Sequence, residues 1–288
     1  MVAQYFMYDG LSSQVNDLVI GSFSGSQDGE VGVGNLSMTT FKSPGSNVFY
    51  KVNTTYNNQL QISWSCIKLN CDDPNDIYFT ERETANILRW LGHRGYRPLV
   101  FLQEGWEGIT YNAFLEVQEY QIGGQIVGFN ITATCDAPYG WTSQKVSTII
   151  STGTENNPTI SDLRDDSDEV GTTCTDMEIT IYEDCNFEIR NLLTGAIMKI
   201  KNCVAGEQIT VKDKRISSNE CKDQENETSY AYSGRHQTLY DDFNWKWFNV
   251  GNYYDNDFSH SDPRANKIEV IGNCKVTLKW KEARKAVV

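Results

Sequence analysis

The chain has 288 residues, 39% of them apolar, and a formal net charge of −13. With 15 Tyr, 12 Phe and 7 Trp it is too aromatic for a globally disordered chain, and it is long enough for one large or two ordinary domains. The acidic balance, with no basic cluster beyond Lys212–Lys214–Arg215 and Lys279–Lys281–Arg284–Lys285, excludes a protein that holds nucleic acid by its phosphates, and no sequence-specific nucleic-acid partner is expected.

The opening, Met1 to Gly10, lacks a basic segment followed by an apolar run, so no secretion signal is expected and folding in a cytoplasm is. No stretch approaches the ~20 apolar residues of a membrane-spanning helix, and no membrane insertion is expected. Gly29, Gly32 and Gly34 resemble a phosphate-cradling loop only superficially. That chemistry needs a helix N-terminus after the glycines, and here Leu36 to Phe41 reads as a strand.

Leu60, Ile62, Trp64 and Cys66 alternate with polar neighbours, the period of a half-buried strand. Thr80 and Glu83 then form a capping box, in which each side chain satisfies a free amide at a helix start. Ile87, Leu88 and Leu91 continue at helical spacing, and Gly92 is expected to end the helix in a left-handed cap. The two-residue period returns at Val127, Phe129, Ile131, Ala133 and Cys135. Asp136 to Trp141 breaks that strand with Pro and Gly, which places a domain boundary there, giving domains 1–140 and 141–288.

Ser151 to Gly171 is polar and reads as loop, with a short buried strand around Thr148–Ile150. Alternation resumes at Ile179 and Ile181, Phe187 and Ile189, and Ile209 and Val211. Asn191 to Gly195 reads as a hairpin loop before Ile197, and Asn219 to Ser229 as an exposed loop. Ile268 and Val270, then Val276, Leu278 and Trp280, read as a second hairpin turning at Gly272–Asn273. The fold class is therefore mainly β with one helix.

Motifs for chemistry are sparse. His93, His236 and His260 sit in no nucleophile signature, and no enzyme activity or catalytic residue is expected. The acidic groups Asp72–Asp73–Asp76, Asp162–Glu169 and Asp255–Asp262 lack the ligand spacing of a calcium loop and read as solvated. The eight cysteines include no C-x-x-C pair and no nearby His to complete a zinc knuckle, so they are expected as unpaired, mostly buried thiols, with no metal and no cofactor. Phe243, Trp245 and Trp247 are read first as the inner face of a strand. The competing reading makes Trp245, Trp247, Tyr253 and Tyr254 exposed contacts for a glycan or a protein partner.

Several segments together resemble the distal tail protein family of siphophages that infect Gram-positive hosts. Phe6 to Ser13 with Leu18 to Phe23 is similar to the family's N-terminal strand and turn. Ile87 to Leu91 with Tyr96 to Leu99 is similar to its helix and the following strand. Gln125 to Phe129, ending in Cys135 to Trp141, is similar to the strand closing the first domain. Leu239 to Trp247 and Asn266 to Cys274 are similar to the closing strands. The pieces occur in order over nearly the whole chain, and Gly251 to Arg264 looks like an added loop.

The resemblance implies an N-terminal β-barrel-like domain with one helix and a C-terminal galectin-like β-sandwich. It implies a homo-hexameric ring at the tail tip of a virion, assembled in the host cytoplasm and open as a channel for DNA. The partners it implies are the tail tube protein, the tail-associated hub protein and receptor-binding proteins. The alternative is a carbohydrate-binding module that recognises the host wall.

Overall fold

A computed structural model describes residues 4–23, 36–45, 47–69, 76–102, 108–223, 232–253 and 264–285. The chain divides into two compact units, Met1–Ser143 with Ala283–Val288, and Gln144–Glu282.

The strands of the first unit are β1 (Tyr5–Tyr8), β2 (Leu11–Ser12), β3 (Leu18–Phe23), β4 (Leu36–Lys42), β5 (Phe49–Tyr56) and β6 (Gln61–Lys68). After helix α1 (Glu81–Leu91) come β7 (Arg97–Leu102), β8 (Tyr111–Ile122), β9 (Gln125–Cys135) and β10 (Gly140–Trp141). Seven of them form one antiparallel sheet in the order β2-β1-β7-β8-β9-β6-β3. The sheet curls until its far edge returns to its beginning, where Ile20 N–H donates to the Gln4 carbonyl at 2.9 Å. This is the barrel-like arrangement expected.

Alternation fills the interior. Ile62, Trp64 and Cys66 of β6 face Phe129, Ile131, Ala133 and Cys135 of β9, all buried. Trp64 packs edge-on against Phe6 at 5.3 Å and Phe101 at 5.2 Å, so one indole joins β1, β6 and β7. Burying side chains of this size contributes about 1.5–3 kcal/mol each.

Helix α1 begins at the expected capping box: Glu83 N–H donates to Thr80 Oγ1 at 3.3 Å and Thr80 N–H to Glu83 Oε2 at 2.7 Å. Ile87 and Leu91 face the core, and Trp90 stacks on Phe6 at 5.7 Å while its Nε1 donates to the Tyr8 carbonyl. Glu83 also meets the buried Lys68 ammonium at 3.3 Å, with Asp76 at 3.0 Å. Burial works against the Lys68 charge, but hydrogen bonds and charge contact with Asp76 and Glu83 outweigh it and hold the group above the ordinary lysine value.

Gly92 departs from its expected role. It caps the helix at φ −83°, outside the left-handed region. Its need is steric, because a Cβ would lie 2.7 Å from the Leu88 carbonyl oxygen.

The second unit contains β11 (Lys145–Gly153), β12 (Thr159–Arg164), β13 (Gly171–Cys174), β14 (Asp176–Ile181), β15 (Cys185–Asn191), β16 (Ile197–Cys203), β17 (Gln208–Lys212) and β18 (Arg215–Ser218). It continues with β19 (Lys222–Asp223), β20 (Tyr232–Ser233), the short helix α2 (Leu239–Asp242), β21 (Asn249–Asn252) and β22 (Ala265–Trp280). The last strand, β23 (Ala283–Arg284), pairs with β10 and so belongs to the first unit.

Strand β22 carries the sandwich-like architecture. Its first half pairs with β12 on one edge and β15 on the other, and β16 continues outward from β15. Its second half pairs with β11 and β14, and β17 and β18 continue from β14. The hairpin expected at Gly272–Asn273 is therefore one continuous strand. Gly272, at φ +118°, lies where the strand passes from one set of partners to the other, opposite Gly153. A Cβ on Gly153 would meet the Val270 oxygen at 2.4 Å, so two glycines build the corner.

The expected hairpin between β15 and β16 is present, with Gly195 at φ +71° and Ile189 opposite Met198. The stretch 151–171, read as loop, instead contains the end of β11 and all of β12. Of β12 only Leu163 is buried, so its place in the sheet comes from backbone pairing that apolar periodicity does not reveal. The expected loop 219–229 begins with β19; Gln224 to Ser229 lie outside the described residues.

Gly128 of β9 gives a direct test of the first sheet. A Cβ there would stand 2.0 Å from the Cys66 carbonyl oxygen on β6, backbone that cannot yield without opening the ladder. Gly128→Ala is expected to cost about 3 kcal/mol, the upper end of overpacking penalties. Gly21→Ala, whose Cβ meets Ile67 at an ordinary 3.7 Å, is expected to stay within about 1 kcal/mol. Denaturant unfolding of both variants measures the difference.

The thiols give a second test. Cys66, Cys135, Cys203 and Cys274 are buried and in no disulfide, while Cys174 on β13 is exposed. Burial pushes the Cys66, Cys135 and Cys274 thiols up to about 12, which leaves almost no thiolate near neutrality. Native-state alkylation read by peptide mass spectrometry is expected to mark Cys174 and spare these three until the protein is denatured.

Candidate interaction surfaces

The aromatic segment after α2 departs from the strand reading. Phe243 makes one isolated bridge to Ile200, and residues 244–248 form no ladder. Phe243 and Phe248 enter the core, whereas Trp245, at φ +54°, turns outward and is 58% exposed. Trp245 Nε1 donates to the Tyr240 carbonyl at 3.0 Å, and its ring stacks on Tyr240 with an interplanar angle of 21°. Tyr232 of β20 extends the group, 5.0 Å from Tyr240.

Trp247 is half-buried, 5.1 Å from Phe243 and 6.4 Å edge-on from Trp245. It forms one wall of a cleft of about 370 Å³ with Thr175, Asp176, Asp213 and Lys214. Tyr253 is partly buried beside Gly251. Tyr254, Phe258 and most of the added loop 251–264 lie outside the described residues. Of the residues singled out in sequence, the structure thus brings Trp245 and Trp247 together. It adds Tyr232 and Tyr240, which no local pattern marks because their meeting depends on β20 pairing with β19.

A second surface lies in the first unit. Strands β4 and β5 pair only with each other among the described residues. Their apolar side chains face outward: Leu36, Met38, Phe41, Phe49, Tyr50 and Val52 are each more than half exposed. At the open end of the ribbon Lys42 lies over the Phe49 ring, and at its base Tyr56 meets Tyr139 edge-on at 6.2 Å. An isolated two-stranded ribbon is marginal in water, and this many exposed apolar side chains on one ribbon mark a place of contact.

The titratable groups divide plainly. His93 is half-buried, 3.4 Å from Asp9 at the end of α1. His260, Asp72, Asp73, Asp255, Asp262 and the glycines 29, 32 and 34 lie outside the described residues. In the group Asp162–Glu169, Asp165 accepts from Ser167 N–H and Asp166 from Arg164 Nε, so local partners engage these carboxylates. His236 is 1% exposed, with Nδ1 2.8 Å from Glu207 Oε1 and Nε2 3.4 Å from Asp242 Oδ2. Cys203 completes a buried group with Glu207 and His236, which the sequence does not reveal because the three span two turns and an intervening hairpin. Among the described helices none is long and apolar enough to cross a membrane.

Two family models match the chain: a phage tail protein N-terminal domain over residues 1–137 and a phage tail C-terminal domain over residues 139–280. The crystal structure of the Dit protein of phage SPP1, described as a paradigm of the hub adsorption apparatus of phages infecting Gram-positive hosts, is similar over 96% of this chain and 98% of that one. Its TM-score is 0.61 at 12% identity. A chain in the structure of the phage P2 baseplate, in its activated conformation with Ca, is similar over 100% of both chains, with a TM-score of 0.50 at 12% identity. At such identities the likeness is one of fold, and the fold is Dit-like. No curated protein matches the chain by sequence.

Proposed function

The chain belongs to a family of phage tail proteins, matched in both its N-terminal and C-terminal domains, and on that premise we propose that it is the distal ring protein of a tail tip. In this reading it is a structural, non-enzymatic component. Six copies close into a ring that continues the tail tube and leaves a channel for DNA. The first unit makes the ring contacts, and the second carries the outer surface on which receptor-binding proteins dock. The tail tube protein meets one side of the ring and the tail-associated hub protein the other.

The observation that carries this reading is the apolar ribbon of β4 and β5. The core of the first unit is complete without it, since Phe6, Trp64, Phe101 and Phe129 are all buried with no help from either strand. Apolar side chains that a unit does not need for itself, held on two strands that pair only with each other among the described residues, are suited to a neighbour's surface. A ring needs such a surface, because each subunit must offer one patch to the next and receive another. The Dit-like fold of the whole chain supports the same placement.

The triple variant Phe41→Ser, Phe49→Ser, Val52→Ser tests this. Wild-type protein is expected to form six-fold rings under light scattering and negative stain, alone or on purified tail tubes. The variant is expected to remain monomeric with its unfolding midpoint unchanged. Rings formed equally well by the variant would remove the ribbon from the interface.

The second reading, a wall-glycan binding surface on the second unit, has its own observation: exposed Trp245 stacked on Tyr240, next to the cleft walled by Trp247. An aromatic face stacks on the apolar face of a sugar ring, and Asp176 and Asp213 in the cleft offer hydroxyl partners. Calorimetric titration with purified Gram-positive wall polysaccharides is expected to show binding that Trp247→Ala weakens at least tenfold, about 1.4 kcal/mol. Absence of heat with the wild-type protein at millimolar glycan would remove this reading and leave the surface to protein partners.

A further inference from the structure

We propose that Cys203, Glu207 and His236 form a binding site for a divalent cation of the zinc class. Cys203 ends β16, Glu207 stands immediately before β17, and Gly206 at φ +82° turns the chain between them. His236 enters from the segment before α2. One donor atom from each residue lies within 4.8 Å of the other two, and the residues are 1%, 0% and 1% exposed. In a tetrahedral zinc site the donors stand roughly 3.3–3.6 Å apart, given metal–ligand distances of about 2.0–2.3 Å. The longest separation would have to contract by about 1 Å and the 2.8 Å Glu207–His236 contact to open by about 0.5 Å for all three to coordinate, with one position left open.

The His236 ring lies between two carboxyl groups. The Glu207 carboxylate accepts from Ser218 Oγ at 2.6 Å and Val204 N–H at 3.1 Å, and faces His236 Nδ1 at 2.8 Å. On the other side of the ring, Nε2 is buried without a hydrogen bond, 3.4 Å from Asp242. Asp242 itself accepts from Thr238 Oγ1 at 2.5 Å and Asn202 Nδ2 at 2.9 Å. A neutral imidazole has one proton. Placed on Nδ1 it serves Glu207 and turns a bare Nε2 lone pair toward a carboxylate; placed on Nε2 it does the reverse. Two carboxylates around one buried ring therefore call for one further positive charge, a proton or a metal ion.

Cys203 selects the metal. Its thiol makes long contacts to the Ile200 carbonyl at 3.5 Å and the Lys201 carbonyl at 3.9 Å and is met by the Phe187 backbone, and a protonated-imidazole arrangement would leave it no part. As a thiolate it is the soft ligand that favours zinc over calcium or magnesium. With the metal on Nδ1, the Nε2 proton points at Asp242, the carboxylate–histidine–metal relay that fixes the ring in many zinc sites. Binding releases the Cys203 proton and the second imidazole proton, if present, to solvent, and no electrons move.

The test uses the full chain, stripped of metal by a chelator and titrated with Co²⁺ and then with Zn²⁺. Wild-type protein is expected to develop a thiolate-to-cobalt charge-transfer band at one equivalent, bleached by zinc, and to unfold at a higher temperature with zinc bound. Cys203→Ser is expected to abolish the band. Asp242→Asn, which leaves the three ligands in place, is expected to keep the band and weaken zinc binding roughly tenfold. Should folded wild-type protein, checked by circular dichroism, show neither the band nor a zinc-dependent shift, the proposal is overturned.

Discussion

Sixteen residues of one strand serve two sets of partners, and the second unit depends on that arrangement. From Asn266 to Trp280 every even-numbered residue of β22 is buried, so one face of the strand supplies core along its whole length. A strand shared by two sheets must bend, and bending brings its backbone close to its neighbours. Gly272 and Gly153, opposite each other, make that approach possible because neither has a Cβ to intrude. The corner then places β12 and β15 on one part of β22 and β11 and β14 on the other. Phe187, Met198, Ile209 and Leu278 thereby meet in a single core.

The same strand shows how far the sequence can be read. Its alternation was legible, and so was the glycine, but a glycine between two apolar runs fits both a turn and a bend. Parity separates them: Ile268, Val270, Cys274, Val276, Leu278 and Trp280 keep one phase across Gly272, as a continuous strand must. Helix α1 was legible because its signals are local, a capping box followed by apolar residues within eleven positions. Strand β12 was not, because an edge strand held by its backbone needs little apolar periodicity and Leu163 alone is buried. Trp245 misled for a related reason. Alternation across Phe243, Trp245 and Trp247 is a strand signal only if the backbone is extended throughout, and the left-handed turn at Trp245 breaks it.

Buried polar groups in the second unit are handled by networks, which throws the His236 group into relief. Asn266 is fully buried and every polar atom of its side chain is engaged: Nδ2 donates to the Gly251 and Arg264 carbonyls, and Oδ1 accepts from Gly251 N–H and Asn191 Nδ2. Glu188 is likewise met by Arg190 and Lys199. Complete satisfaction is the rule for buried polar side chains, since an unpaired one costs about 1–3 kcal/mol. His236 Nε2, facing a carboxylate without a hydrogen bond, departs from that rule, as do Asn249 Oδ1 and Trp280 Nε1 in the same unit. Sequence spacing does not reveal this group, because Cys203 and Glu207 are joined by a turn and His236 arrives from beyond β17, β18 and β19.

The two candidate surfaces differ in kind, and the difference bears on what each is for. The ribbon of β4 and β5 exposes its largest aliphatic and aromatic side chains, and Ser37 is already engaged with Thr55 and Asn57. Such a surface gains free energy in proportion to area covered, which suits a protein neighbour and gives a sugar little to recognise. The Trp247 cleft is small and mixed: one aromatic wall, two aspartates and a lysine converge on a concave space. That composition fixes orientation and buries little area, the character of a ligand site. Because the ribbon belongs to the first unit and the cleft to the second, the proposed assembly and recognition roles rest on separate surfaces, and substitution in one need not disturb the other.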